Sequence, residues 1–295
     1  MIELFAQYMD VISRHEHDLG EAHLDGKPYL LQYHLKDKSK PPFWQNQWPL
    51  PTAHLDYLDN FLEEYQQIGL IESSTSDYNS CIFLVKKSAL ENPNMDADYI
   101  PLRLVCDFRT LNSNLHQPKY TLPTIKQTID QIGRVGPTHF LKIDLTKFFW
   151  QFKVHEKSRN LLSFCIPGKG QYRFVRAPMG IHAMPMSAQR YVDIILKPLM
   201  PLRALAFIDD LLLMSKGEED MLISIQKLFD CLRNAKLKIR LEKSQFCVRE
   251  ITFLGHTLTP EGYTAKKDNL AAIQKLNYPD SIRGIRSRST LGMSN

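Results

Sequence analysis

The sequence predicts an α+β fold in which strands are grouped around interposed helices rather than wound alternately with them. Strand signals dominate from residue 139 onward, and helical spacing is confined to a few separated stretches. With 43% hydrophobic and 10% aromatic residues, the 295-residue chain can bury a sizeable core, which excludes wholesale disorder. Its longest apolar runs are a handful of residues, so no membrane-spanning helix is expected.

Taken in order, the elements read as follows. The stretch MIELFAQYMDVISRHEHDLG has Glu3 and Asp10 inside its apolar residues and no cationic start, so it is not read as a signal peptide. His15-Glu16-His17-Asp18 offers two imidazoles without a third ligand set and is not read as a metal site. Residues 36–52 are proline-rich and polar with Phe43, Trp44 and Trp48 interleaved, an extended arm that packs aromatics. Leu55, Leu58, Leu62, Tyr65 and Ile68 recur at helical spacing up to Gly69. A polar turn from Ser73 to Ser80 precedes the strand-like CIFLVKK, and LRLVCDF (102–108) is a second strand. Pro123 starts a short helix through Ile125, Ile129 and Ile132 that Gly133 ends. HFLKID (139–144) is the next strand, and LLSFCIP and QYRFV pair around the Gly168-Lys169-Gly170 turn. A helix from Pro185 to Leu196 gathers Ala188, Tyr191, Val192 and Ile195 on one face. RALAFI-DD-LLLMS reads as a hairpin with Asp209 and Asp210 at its tip. The helix after it has Glu218, Glu219 and Asp220 in its first turn, where they suit the dipole, and Leu222, Ile225, Phe229 and Leu232 on its apolar face. ITFLGHTLT supplies a last strand-pair edge.

The charge is unevenly spread. Residues 1–100 hold 7 Lys/Arg against 16 Asp/Glu, residues 101–295 hold 30 against 16, and residues 141–190 alone hold 9 against 2. A basic body behind an acidic front suggests a polyanion partner; a solvated cationic face gives the same pattern. Five cysteines without a C-x-x-C pair fit buried thiols in a reducing, intracellular compartment, and Cys81, Cys106 and Cys165 lie in apolar strands.

Three carboxylates stand out. Asp209 and Asp210 sit between Ala-Leu-Ala-Phe-Ile and Leu-Leu-Leu-Met, and Asp144 closes another apolar strand. Taken alone, an Asp-Asp pair is also an ordinary exposed hairpin turn. Two such strands side by side would gather all three acids at one sheet edge, a donor set suited to hard divalent cations completed by substrate phosphates. No thiolate or imidazole set accompanies them, so zinc is not indicated. A pair of ions there fits in-line phosphoryl transfer.

The motifs arrive in a recognisable order: Gly69-Leu70-Ile71-Glu72-Ser73, VKK (85–87), RLVCDFRTLN (103–112), YTLP (120–123), FLKIDL, APMG (177–180), FIDD (207–210) and FLGH (253–256). With them the chain resembles the reverse transcriptase of LTR retrotransposons, gypsy-type Pol polyproteins in particular, from His17-Asp18-Leu19 to Leu291-Gly292-Met293. The resemblance implies a right-hand polymerase fold with fingers and palm, an antiparallel palm sheet, and no thumb or RNase H within these residues. The implied layout is an acidic arm and helix over 1–70, fingers over 71–138, and a palm over 139–256 with a fingers insertion near 153–175. Residues 257–295 would begin a thumb or connection, with Lys275, Arg283, Arg286 and Arg288 in a solvated tail, and the chain would be a fragment of a polyprotein acting in the cytoplasm or a virus-like particle.

By the same resemblance, Asp144, Asp209 and Asp210 are the catalytic, metal-binding aspartates for two Mg²⁺ ions, with Mn²⁺ as a substitute. Lys87 and Arg103 resemble the residues that grip the incoming dNTP, as a point charge and a planar fork respectively. Phe149 resembles the aromatic that leaves no volume for a 2′-hydroxyl; Trp150 and Phe152 are read as core aromatics. Met179 and Lys243 fall at dNTP-pocket positions, Lys243 as the group that helps protonate pyrophosphate. Gln189 and Arg190 resemble template contacts, and Phe253, Gly255 and His256 a strand holding the primer terminus. Four positions depart from the family pattern and are expected near the nucleotide pocket: Phe148 for Gly or Ala, Met179 for Phe or Gln, Ala183 for Asn and Ala188 for Phe. The expected function is an RNA-directed DNA polymerase core acting on an RNA or DNA template with a DNA primer. A catalytically impaired remnant that only binds nucleic acid is the alternative, and RNA synthesis is disfavoured by Phe149.

Overall fold

The computed structural model of the chain describes residues 2–51, 55–86, 102–200 and 203–265. Its helices are α1 (Ile2–Gln7), α2 (Leu55–Gln67), α3 (Arg109–Asn114), α4 (Ile125–Val135), α5 (Glu156–Arg159), α6 (Ala183–Ile195) and α7 (Glu218–Asn234). Its strands begin with β1 (His23–Leu24), β2 (Lys27–Pro28), β3 (Ile71–Ser73), β4 (Ile82–Lys86), β5 (Leu102–Cys106), β6 (His139–Asp144) and β7 (Ser163–Ile166). They continue with β8 (Gly170–Phe174), β9 (Ala204–Phe207), β10 (Asp210–Ser215), β11 (Gln245–Val248), β12 (Ile251–Phe253), β13 (His256–Thr259) and β14 (Gly262–Ala265).

Strands β6, β9, β10 and β11 form an antiparallel sheet in the order β11-β6-β10-β9. The side-chain period of two sends alternate residues to opposite faces. Leu141, Ile143, Leu211, Leu213, Ala204 and Ala206 join the larger core, where α6 packs on β9 and α7 on β10 and β6. Phe140, Leu212, Met214 and Leu205 join a second core with Ile129 and Ile132 of α4 and Ile251, Phe253 and Leu258 of the β12–β13 hairpin. A sheet covered on both faces explains why these strands are apolar almost throughout. Each fully buried Leu, Ile or Phe contributes about 1.5–3 kcal/mol. Lys142, Asp144 and Asp210 share the period of Phe140 and Leu212, so the acids emerge on the second-core face at its open end.

The first 35 residues run across the body. Ile12 bridges to Ile239, Leu31 to Val154 and Leu35 to Leu115, and the Tyr8 hydroxyl donates to Asp230 Oδ1 at 2.5 Å. Their acids dock on body cations: Asp10 on Arg233 at 2.6 Å, Glu21 on Lys153 at 2.7 Å, Glu16 on Lys147, and Asp18 on Lys238. Farther on, Asp59 meets Lys169, and Glu72 meets Arg173 at 2.8 Å and Arg159 at 3.3 Å. Lys142 is paired with Asp210, and the Arg176 guanidinium donates to the carbonyls of Gly20 and Trp150. Seven of the nine cations in 141–190 therefore have internal acceptors. Within 141–190 the excess of cations is thus largely met by internal acceptors, five of the cations pairing with acids of the first hundred residues.

Several expectations are corrected. Gly133 lies inside α4, which starts at Thr124 with a capping box to Gln127 and ends at Gly136, φ 58°. Pro123 precedes that cap. The β9–β10 turn is Ile208-Asp209, so Asp210 is already the first strand residue. Met221 takes the buried position on α7 expected for Leu222, which is exposed. Phe43 of the proline-rich arm packs edge-on against Tyr78, while Trp44 and Trp48 are exposed and the arm is tied down by Gln47, whose amide bonds both backbone groups of Ile82. The cationic tail after residue 265 lies outside the described residues.

Candidate active site

The antiparallel register sets Asp210 directly opposite Asp144 across β10 and β6. Asp209 occupies the adjoining two-residue turn. Asp144 and the adjacent pair Asp209-Asp210, distant from it in sequence, are thereby drawn to one end of one sheet. Burial pushes the Asp144 carboxyl up from its ordinary range; Lys243 pulls against it, and Asp209 and Asp210 add to the rise. Burial also pushes Asp209 up, with Asp210 adding to it while its own backbone N–H and Lys142 oppose. Asp210 Oδ1 is held by Lys142 Nζ at 2.7 Å.

Among the described residues no three acidic, histidine or cysteine side chains already stand close enough to cage an ion. The donor set nonetheless fits hard divalent cations. It is all carboxylate oxygen, and two of its members are half-buried anions whose mutual repulsion an added cation would offset.

Local backbone contacts fix each acid. Asp144 donates its N–H to Ser244 Oγ at 3.2 Å and accepts Arg240 N–H at 2.8 Å, which brings the one-turn helix Leu241–Lys243 alongside it. At the Asp209 turn Ile208 has φ 59°, a left-handed conformation that a β-branched residue resists. Its N–H donates to Gln189 Oε1 at 2.7 Å.

Gln189 was expected at the template. Its side chain is instead completely buried on α6, bonded to Ile208 N–H, to Ala206 O at 3.0 Å and to Asp193 Oδ1 at 2.8 Å. A fully bonded buried amide has no group left for a template, so its contact is the turn. Arg190 is exposed and its guanidinium lies 5.4 Å from the Tyr120 ring centre.

The remaining expected residues are distributed as follows. Phe149 is half-buried in a one-turn helix, Phe148–Gln151, just beyond Asp144. Met179 is exposed beside Gly180, whose φ is 94°. Arg103 lies on β5 opposite Val85, in a different sheet from the acids. Lys87 lies outside the described residues. Phe253 is buried in the second core, so its ring has no surface for a primer. Phe253 and His256 flank a tight turn, Leu254-Gly255, in which both residues have positive φ. Gly255 is exposed at that tip, and His256 stacks on Tyr263.

The departures at 148 and 188 lie in the core, and Ala183, itself buried, borders a cleft with Tyr33, His116 and Ser187 away from the three acids. Phe148 packs edge-on against Phe152, and Ala183 and Ala188 are buried in the same core.

Sequence reasoning missed two residues that shape the site. Lys142 supplies the countercharge on Asp210. Asn112, buried, bonds Gly180 O at 2.8 Å and His182 N–H at 3.0 Å and so holds the loop carrying Met179. The signal for Asn112 was its place in RLVCDFRTLN; nothing in the sequence singled out Lys142.

A family model described as "Reverse transcriptase (RNA-dependent DNA polymerase)" matches residues 93–258. The chain is 32% identical over 274 residues to the retrovirus-related Pol polyprotein from transposon 412 of Drosophila melanogaster, covering 93% of this chain and 21% of that protein. It is 31% identical over 265 residues to the one from transposon 297 of the same organism, covering 90% and 24%. The chain thus spans less than a quarter of these relatives.

Among solved structures it is similar to the foamy viral protease-reverse transcriptase in complex with RNA/DNA hybrid. There the TM-score is 0.79 at 21% identity, covering 98% of this chain and 36% of that one. The same viral protein in complex with dsDNA gives a TM-score of 0.78 over 97% of this chain and 56% of that one, at 20% identity. At such identity the likeness establishes a shared fold, the right-hand arrangement built on an antiparallel sheet.

Proposed function

From its membership of the reverse transcriptase (RNA-dependent DNA polymerase) family, we propose that this chain is the polymerase core of an LTR-retrotransposon Pol polyprotein, extending a DNA primer on an RNA or DNA template. The observation that carries the reading is the register of Asp144 against Asp210 with Asp209 in the adjoining turn. In this reading residues 139–256 are the palm, 71–138 and 153–175 the fingers, 1–70 an arm, and 257–295 the start of a thumb. Nucleic-acid binding is supported by the foamy viral relatives, whose structures hold RNA/DNA hybrid or dsDNA. The five cysteines are free, which suits a reducing intracellular compartment. Among the described residues no helix is long and apolar enough to cross a membrane.

Asp144 and Asp209 would hold two Mg²⁺ ions, or Mn²⁺ in their place, with Asp210 beside them. Such ions, when bound, supply the charge that activates the primer 3′-hydroxyl and steadies the leaving oxygen. The chain's own residues do the rest. Lys87 and Arg103 neutralise and orient the triphosphate. The Phe149 ring fills the volume a 2′-hydroxyl needs. Met179 borders the nucleotide. Lys243 Nζ delivers a proton toward departing pyrophosphate from a position whose field already reaches Asp144. Arg190 meets template phosphate, and the Gly255–His256 tip meets the primer end, with Phe253 anchoring it from below.

The test is extension of a DNA primer on an RNA template with Mg²⁺, run beside Asp209→Asn. Product from the wild type and at least about 10³-fold less from the variant is expected, the scale of losing a group that acts only in the transition state. No product from either protein, with Mn²⁺ also tried, leaves the remnant that only binds nucleic acid. Phe149→Ala should admit ribonucleotides; selection against them unchanged in that variant would remove Phe149 from the pocket.

A further inference from the structure

The Ile208-Asp209 turn is held in a conformation its own sequence disfavours, so something outside the hairpin must hold it. The restraint can be followed outward atom by atom. Ile208 N–H needs an acceptor, and Gln189 Oε1 supplies it at 2.7 Å. An amide presents oxygen or NH₂ depending on which way it is turned. The Gln189 NH₂ has two protons, and both are placed: one on Ala206 O at 3.0 Å, one on Asp193 Oδ1 at 2.8 Å. Asp193 lies one helical turn after Gln189, and its other oxygen, Oδ2, accepts the hydroxyl of Tyr120. That hydroxyl is pushed up to about 12 by its bond to Asp193, with burial adding to it, so it remains a donor at neutral pH. Arg190 lies over the Tyr120 ring and fixes it from the solvent side.

We propose that Tyr120 and Asp193 are positioning residues that lock the orientation of Gln189 and through it hold the strained turn presenting Asp209. The proposal rests on the polymerase reading for its catalytic consequence, but the brace itself is a property of the free protein. Without the Asp193 acceptor the Gln189 amide keeps only Ile208 N–H and Ala206 O, loses its tie to the body of the helix and can drift away from the turn together with Ile208. The turn then relaxes toward negative φ, and Asp209 moves away from Asp144.

Two measurements test this on the whole chain. Amide hydrogen exchange of the free protein over residues 204–210 should rise about tenfold in Tyr120→Phe and in Asp193→Leu, as expected for a lost local restraint. It should stay at the wild-type level in Asp193→Asn, which keeps an acceptor for Gln189 and a donor for Tyr120. Single-nucleotide incorporation should fall about tenfold in the same two variants with the dNTP KM unchanged, as a misplaced but intact group requires. In an Ile208→Gly background, where positive φ carries no strain, Tyr120→Phe should change that rate less than about threefold, a non-additivity that marks a shared mechanism.

Unchanged exchange over 204–210 in Tyr120→Phe, with wild-type thermal stability, overturns the brace. Equal rate losses in the Ile208 and Gly backgrounds overturn its route through the turn. A wild type that does not polymerise overturns the function instead, while the exchange result still decides the brace.

Discussion

Asp144 and Asp209 are raised for one reason above others, their partial burial, and the neighbouring carboxylates add to it. A raised carboxyl means the folded state binds its proton more tightly than the unfolded chain does. The resulting penalty is therefore present at neutral pH and fades as pH falls into the carboxylate range. Asp209→Asn should accordingly stabilise the metal-free protein by about 0.5–2 kcal/mol at pH 7, the usual gain when a functional strain is removed. In thermal melts that gain should vanish at acid pH, where the wild-type group is itself neutral; a pH-independent gain would mean the charge is not its source. These acids were legible in the sequence because apolar flanks make a carboxylate conspicuous. Gln189 was placed at the template by resemblance of position alone, which carries no information on burial; the structure buries it completely. Only its three partners, all from other positions in the chain, explain a buried amide there.

At the scale of elements, strands with continuous apolar character and helices with clear periodicity were legible, and their ends were not. Helix α4 shows why. Gly133 looked like a stop, yet Thr124 and Gln127 close a capping box at the start and Gly136 takes the left-handed conformation at the end. Side-chain capping decided the boundary. Thr124→Ala should lower stability by about 1 kcal/mol in chemical denaturation without changing the slope, since only a cap is lost. Strand β11 went unread because its register shifts between Gln245 and Val248, Cys247 has φ 51°, and its residues are mostly half-buried, leaving no clean alternation. Likewise Met221 and Leu222 are adjacent and equally apolar, so the pattern alone does not say which one faces β10.

Over the whole molecule, the pairing of acidic front with basic body changes what the net charge means. Each exposed pair adds little stability, but together they cover cations that would otherwise face solvent. Replacing Glu21 by Gln and Asp59 by Asn together should uncover Lys153 and Lys169 and steepen the salt dependence of nucleic-acid binding, by up to about one unit of slope per added phosphate contact. Fluorescence anisotropy across a salt series measures it, and an unchanged slope would mean those lysines face away from any bound duplex. The front is also fitted sterically. A Cβ on Gly20 would stand 2.4 Å from the Lys236 carbonyl oxygen, so Gly20→Ala should cost about 1–3 kcal/mol as an overpacked contact, read from the denaturation midpoint. That crossing has a kinetic corollary. Residues 8–23 are bridged to residues 230–239, which are synthesised long after them. Residues 8–23 must therefore wait undocked until residues 230–239 have been made, a closing step set by contacts more than two hundred residues apart.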